Sequence, residues 1–155
     1  HAEASPKELV DYWSTNHCTF RSRNRTPLFT PWMARGLLAI WARYKARFGV
    51  LIHAYCVTST EVEVIVTASR GQEAFSRFWQ CANQAVSKRF NEANRCRGQV
   101  VMERLESPRI AAHGLELLMR MRRVEHAAVF SSEAACPEDW EYSSSGTTPS
   151  ERSIR

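Results

Sequence analysis

The chain has 155 residues, 44% of them apolar, and a formal net charge of +5. This length and apolar content suit one globular domain that folds unaided, and no apolar run approaches the roughly 20 residues that cross a membrane. The five cysteines are odd in number and include no Cys-x-x-Cys, which argues against a disulfide scaffold or structural zinc and predicts a reduced, cytoplasmic compartment.

Arginine carries most of the positive charge. Only three of the 21 basic residues are lysine: Lys7, Lys45 and Lys88. The planar guanidinium fork suits phosphates and base edges better than the point charge of lysine does. A pI near 9.2 is compatible with a nucleic-acid partner and with an ordinary basic surface, and charge alone leaves both open.

The first predicted strand runs from His17 to Arg23, where polar residues alternate with aromatic or β-branched ones. Arg21, Arg23 and Arg25 are spaced by two, so they would share one face for as long as the strand continues. This row is either an ordinary solvated face or a strip that contacts phosphates.

Six further elements follow from the apolar periodicity. In chain order, they are a helix over 32–48, strands over 50–57 and 61–67, a helix over 72–91, a strand over 99–104 and a helix over 108–124. Only three residues separate the second and third strands, which indicates an antiparallel hairpin. The βαββαβ order predicts an α+β fold, a ferredoxin-like split βαβ antiparallel sheet with helices on one face and the other face open to a partner.

The polar ends set the expected domain limits. We expect residues 1–11 to be a flexible lead-in, residues 12–142 to form the domain, and the serine-rich residues 143–155 to be a disordered tail.

The third strand carries an acidic pair, Glu61 and Glu63. Residues two apart on a strand point to the same face, about 6–7 Å apart. Val62, Val64 and Val66 point the other way, into a core. The acidic face is therefore either solvated or part of a site.

Six segments in order resemble one known family. They are His17-Cys-Thr-Phe-Arg21 with Asn24-Arg25 and Pro27-Leu-Phe29, Phe48-Gly-Val50, Ala54-Tyr-Cys-Val57, Phe75-Ser-Arg-Phe-Trp-Gln80, Arg97-Gly-Gln-Val-Val-Met-Glu-Arg104 and Pro137-Glu-Asp-Trp-Glu-Tyr-Ser-Ser144. Over residues 16–145 the chain resembles the REP-associated branch of the single-tyrosine HUH transposases (the IS200-like transposase domain). The resemblance implies the HUH-endonuclease fold and a DNA hairpin with a short single-stranded flank as the partner.

The resemblance breaks down at the catalytic positions. In that family a His-x-His on the third strand binds a divalent metal, and a tyrosine on the following helix attacks the phosphorus. Here Glu61 and Glu63 replace both histidines, the helix over 72–91 has no tyrosine, and Val86 aligns with the nucleophile. Asn91 aligns with a further ligand, although capping of the helix end explains it equally well.

The resemblance and the arginine surplus together predict a catalytically inactive, domesticated transposase domain. It would bind hairpin, palindromic or single-stranded DNA with no cofactor, as a nucleoid-associated monomer, alone or as one module of a larger parent protein. Its expected DNA contacts are Arg21, Arg23, Arg25, Lys88, Arg95, Arg97, Arg104, Arg120, Arg122 and Arg123. Trp13 and Phe20 could stack on bases, but we expect each of them in the core.

Two alternatives remain open. In the first, Glu61 and Glu63 hold Mg²⁺ or Mn²⁺, with Glu103 or Glu73 as a third carboxylate, in a metal-dependent nuclease. In the second, the fold has lost DNA and serves as a protein-interaction module.

Overall fold

A computed structural model describes residues 13–95, 97, 102–104 and 108–146 of the chain. The expected lead-in and residues 99–101 of the expected fourth strand lie outside these residues. None of the helices within the described ranges is long and apolar enough to span a membrane.

Five strands and four helices form the described architecture. In chain order they are β1 (Ser14–Ser22), α1 (Pro31–Tyr44), β2 (Val50–Val57), β3 (Glu61–Ala68), α2 (Gly71–Asn94), β4 (Met102–Arg104), β5 (Arg109–Ile110), α3 (Leu115–Glu125) and α4 (Ala127–Phe130). Short 3-10 turns cover Arg23–Arg25, Pro137–Asp139 and Ser144–Gly146.

Local chemistry explains where α1 begins and where β2 follows it. The Thr30 side chain accepts a hydrogen bond from the Met33 amide, and Pro31 occupies the first helical position, where its missing N–H costs nothing. After α1, Gly49 adopts a left-handed conformation with a φ of 64°, which glycine tolerates without a Cβ clash. The chain thereby turns back directly into β2.

The sheet has the ferredoxin-like order β2-β3-β1-β4, and β5 also pairs with β1. The pairings β1–β3, β1–β4, β1–β5 and β2–β3 are all antiparallel. Cys18 lies opposite Val64 and Arg21 lies opposite Glu61 in the β1–β3 register. The α+β, split βαβ prediction is confirmed.

The two long helices cover one face of the sheet, which we call the back face. Val62, Val64 and Val66 point into it and share a buried core with Trp41 of α1 and Phe78 of α2. Burial of each large apolar side chain of this kind contributes about 1.5–3 kcal/mol. The acidic pair alternates with these valines and therefore points to the opposite face, the front face.

The expectation that helices cover only one face is wrong. Val124 of α3 and Ala128 of α4 are fully buried on the front face, against Cys56 of β2 and Ile65 of β3. The predicted third helix also began too early, because Arg109–Ile110 is a short strand that pairs with β1. The front face is thus partly roofed, and the remaining opening is a cleft.

Two further expectations are corrected by the structure. β1 ends at Ser22, and Asn24 and Arg25 adopt left-handed conformations in the turn that follows, so the three arginines do not form one strip. The domain also extends beyond residue 142, because Ser143 and Ser144 are fully buried and the Tyr55 amide donates to the Ser144 hydroxyl. Residues 147–155 of the expected tail lie outside the described residues.

Candidate functional site

The acidic pair borders an open cleft of about 320 Å³ on the front face, the front cleft. The hairpin between β2 and β3 forms one side, and the end of α3 with α4 forms the other. Its lining residues are Arg25, Cys56, Thr58, Thr60, Glu61, Glu63, Arg123, Ala127, Phe130 and Ser131. Both signs of charge therefore meet in one depression.

Glu61 is held by an arginine of the neighbouring strand. Arg21 lies directly opposite it in the β1–β3 register, and Arg21 Nε donates to Glu61 Oε1 at 2.7 Å. The side chains are 30% and 32% exposed, respectively, so water screens the pair in part. The guanidinium neutralises the carboxylate where it enters the cleft.

Glu63 faces a histidine on the same neighbouring strand. His17 Nε2 lies 3.5 Å from Glu63 Oε1, but this nitrogen is buried and has no hydrogen-bond partner among the described residues. The contact is therefore not a well-formed hydrogen bond. Arg120 of α3 approaches the other ring nitrogen, Nδ1, at 3.4 Å. Each carboxylate of the pair thus has a basic side chain of β1 beside it.

The other carboxylates considered as metal ligands do not complete a cluster. Glu103 of β4 lies opposite Arg21 in the β1–β4 register, so Arg21 is the register partner of both Glu61 and Glu103. Glu73 lies on α2 and pairs with Arg77 at 3.2 Å. Within the described ranges, no group of three His, Cys, Asp or Glu side chains is arranged to hold a metal ion.

Val86 is not at the site. It is 1% exposed and belongs to the back-face core, on the other side of the sheet from the acidic pair. The expectation that Val86 occupies the position of the catalytic tyrosine is therefore wrong. The helices that do face the cleft are α3 and α4, and residues 115–130 contain no tyrosine.

The described tyrosines lie on the back side of the sheet. Tyr55 and Tyr142 belong to the back-face core, and Tyr44 packs against it. Arg35 of α1 donates to the Tyr142 hydroxyl at 3.3 Å, and burial raises the pKa of Tyr142 above its ordinary value. A tyrosine with a raised pKa is a poor nucleophile at neutral pH.

Cys56 is the one thiol that borders the cleft among the described cysteines. Burial, with smaller effects of Glu63, Glu133 and Glu125, raises the pKa of its thiol to about 12. Because the thiolate is the reactive form, this cysteine is inert at neutral pH.

The predicted DNA contacts are distributed over several surfaces. Arg25 and Arg123 line the front cleft, while Arg21 and Arg120 lie on the same face and contact Glu61 and His17. The other six predicted contact residues do not line the front cleft. Lys88 lines a groove between α1 and α2, Arg104 lies opposite Phe20 and so faces the back, and Arg23, Arg95, Arg97 and Arg122 are exposed.

Two residues of the front face, His17 and Phe130, are not among the candidate site residues that the sequence predicts. The alternation of His17 with Cys18 along β1 places His17 on the acidic side of the sheet. Phe130 is 72% exposed at the cleft, and an exposed aromatic near arginines was the available signal. Phe20 lies in the core at 1% exposure, as expected, whereas Trp13, which was also expected in the core, is 53% exposed.

Comparison with known proteins shows the fold. The structure of a REP-associated tyrosine transposase bound to a REP hairpin matches with a TM-score of 0.59 at 17% identity, covering 97% of this chain and 90% of that one. The chain shares the fold of that transposase. A protein assigned as a transposase from Deinococcus radiodurans R1 matches at a TM-score of 0.48 and 15% identity, covering 79% of this chain and 94% of that one. No protein-family model and no curated protein matches the chain.

Proposed function

We propose that this chain is a transposase-derived domain that binds hairpin or single-stranded DNA at the front cleft and does not cut it. The observation that carries the proposal is the arrangement around the acidic pair. Glu61 and Glu63 face basic side chains of β1, while Arg25, Arg123 and the exposed ring of Phe130 line the same opening.

The charge pattern supports binding. Two bare carboxylates would repel a phosphate, but the Arg21 guanidinium offsets the charge of Glu61 from within the sheet. Arg25 and Arg123 are exposed, so they are available for phosphate contacts that gain affinity through counterion release. Phe130 offers a ring face on which an unpaired base can stack. The shared fold with a transposase bound to a REP hairpin supports the choice of DNA.

The lack of a suitable nucleophile at the cleft supports the proposal that the domain does not cut DNA. A single-tyrosine mechanism needs a hydroxyl within reach of the phosphorus that lies beside the metal. The cleft-facing helices have no tyrosine, the described tyrosines lie on the back side, and Cys56 holds its proton.

A binding assay with a labelled hairpin and with single-stranded DNA tests the proposal. We expect a complex that weakens with salt and leaves the DNA intact. The metal-dependent nuclease alternative predicts binding heat on titration with Mg²⁺ or Mn²⁺ and loss of that heat in Glu61→Gln. We expect no heat, because Arg21 already pairs with one oxygen of Glu61 and no three His, Cys, Asp or Glu side chains of the described residues are arranged to hold a metal ion.

A second candidate, the protein-interaction module, is favoured by one observation. Leu115, Leu118 and Met119 of α3 are 72%, 62% and 63% exposed, and their spacing of three and four places them on neighbouring positions of one helix side. Such exposed apolar surface is typical of partner sites. Absence of a shift with hairpin or single-stranded DNA at low salt, where electrostatic binding is strongest, would favour this candidate.

A further inference from the structure

A second groove, of about 540 Å³, lies between α1 and α2 on the helical side of the sheet. We call it the back groove. Helix α1 contributes Trp32, Arg43 and Tyr44 to its lining, and α2 contributes Gln84, Lys88 and Arg89. The sheet separates it from the front cleft, so one occupant of ordinary size cannot fill both.

Trp32 is held as a platform in this groove. The Arg89 guanidinium lies 3.5 Å from the centre of the Trp32 ring, and Arg89 Nη2 donates to the Trp32 carbonyl oxygen at 3.1 Å. Stacking of a cation on one ring face fixes the indole. The side chain nevertheless stays 43% exposed, which leaves surface for a further planar group.

The sequence makes room for this stack at Gly36. A Cβ at that position would lie 2.1 Å from Arg89 Nε, so any larger residue would displace the guanidinium. The same Nε is buried without a hydrogen-bond partner among the described residues. Arg89 therefore leaves its Nε–H without a hydrogen bond while it stacks on the Trp32 ring. An arginine on an open surface would give that group to water.

The rest of the groove is cationic and aromatic. Arg43 lies over the Tyr44 ring at 5.4 Å from its centre, and Lys88 is exposed beside it on α2. Glu92 is the one acidic residue of the lining. Trp32 and Tyr44 are twelve positions apart on α1, which corresponds to about 18 Å along a helix.

We propose that the back groove binds a single strand of nucleic acid, with a base stacked on Trp32 and phosphates on Arg43 and Lys88. This goes beyond the front-cleft function, because it assigns a second, separate surface on the helical side of the sheet to a single strand. Arginine and lysine that neutralise phosphates, next to rings that receive bases, make up the physical pattern of single-strand binding. A duplex could contact only Arg43 and Lys88 through its phosphates, because its bases stack on one another and are not free to stack on Trp32.

The test uses fluorescence anisotropy of a labelled oligothymidylate and of an abasic strand with the same number of phosphates. We expect Trp32→Leu to weaken oligothymidylate binding about tenfold and to leave abasic-strand binding unchanged. Arg43→Gln with Lys88→Gln should weaken binding of both strands. It should also reduce the salt slope by about 1.4, at about 0.7 per phosphate contact on a single strand.

The matched control is Arg77→Gln, which removes a charge from α2 outside the groove and should leave both affinities unchanged apart from a small general charge effect. Gly36→Ala, which displaces Arg89, should reproduce the Trp32→Leu effect while Trp32 itself is retained.

Thermal unfolding of each variant checks that the variant is folded. Unchanged oligothymidylate affinity in Trp32→Leu, or equal losses in Arg77→Gln, would overturn the proposal. Oligothymidylate binding is also measured in Arg25→Gln with Arg123→Gln, which removes the front-cleft contribution, and hairpin binding is measured in the back-groove variants, so either surface can fail alone.

Discussion

Arg21 of β1 and Glu61 of the adjacent strand β3 form an ion pair on the front face of the sheet, with Nε and Oε1 2.7 Å apart. The antiparallel register places the two residues directly opposite each other. A carboxylate held in this way has an internal counter-charge and needs no metal to be stable at the cleft. The pair therefore explains how Glu61 persists at a surface that we propose to bind phosphate.

The Arg21–Glu61 pair should contribute measurably but modestly to stability. Because both side chains are about a third exposed, we expect a coupling energy of about 0.5–1 kcal/mol from a double-mutant cycle of Arg21→Ala and Glu61→Ala. The control is the more exposed Arg77–Glu73 pair on α2, which should couple by only about 0.2–0.5 kcal/mol. A coupling of zero for Arg21–Glu61 would show that the pair does not hold the cleft.

The front-cleft arginines should govern hairpin binding. Arg25→Gln with Arg123→Gln should weaken hairpin affinity about tenfold or more at low salt and reduce the salt slope by about 1.8, at about 0.9 per duplex phosphate contact. Arg77→Gln, which has the same chemistry on α2, is the control. Equal losses from the control would mean that the positive charge acts generally and not through the cleft.

Placing a tyrosine at position 86 should damage the fold without creating activity. Val86 is 1% exposed in the back-face core, so Val86→Tyr overpacks it and should cost at least about 1–3 kcal/mol in the free energy of unfolding. Phe130→Tyr adds a hydroxyl at an exposed cleft residue and should change stability by less than about 0.5 kcal/mol. Chemical denaturation compares the two, and a fully stable Val86→Tyr would contradict the assigned packing.

Cys56 should make the native state lose stability at alkaline pH. Its pKa is raised from 9.0 to about 12 by folding, so between these values the folded state keeps a proton that the unfolded chain releases. The free energy of unfolding therefore falls as pH rises through this range, by at most about 1.4 kcal/mol per pH unit for this group.

The Cys56→Ala variant should show a shallower alkaline loss than the native chain in denaturant titrations. Cys81→Ala, which removes a half-buried thiol of α2, is the control for the general effect of losing a cysteine. Identical slopes for Cys56→Ala and the native chain between pH 9 and 12 would contradict the burial effect.

The ferredoxin-like core could be predicted from the sequence because periodicity is a local signal. The valines of β3 and the apolar stripes of α1 and α2 each indicate a buried face, and the short β2–β3 connection indicates a hairpin. The start of α3 was missed because Arg109–Ile110 forms a strand only through its pairing with β1. Pairing with a strand that is distant in sequence produces no periodic pattern of apolar residues, so the sequence cannot reveal it.

The site could be predicted only in part, for the same reason. The acidic pair follows directly from the two-residue alternation of a strand. Its partners Arg21 and His17 depend on the β1–β3 register, which the sequence does not display. Val86 was misassigned because an alignment gives an order of residues but not the side of the sheet on which a helix packs.

DNA binding by this domain at the front cleft without cleavage can be checked in a single experiment. The most direct measurement is incubation of the protein with an end-labelled REP-type hairpin in Mn²⁺, followed by native and denaturing gels of the same samples. Binding without cleavage gives a shifted complex on the native gel, with intact DNA and no protein–DNA adduct on the denaturing gel, and this is the result we expect. A cleaved strand, a covalent adduct, or no shift even at low salt would contradict it.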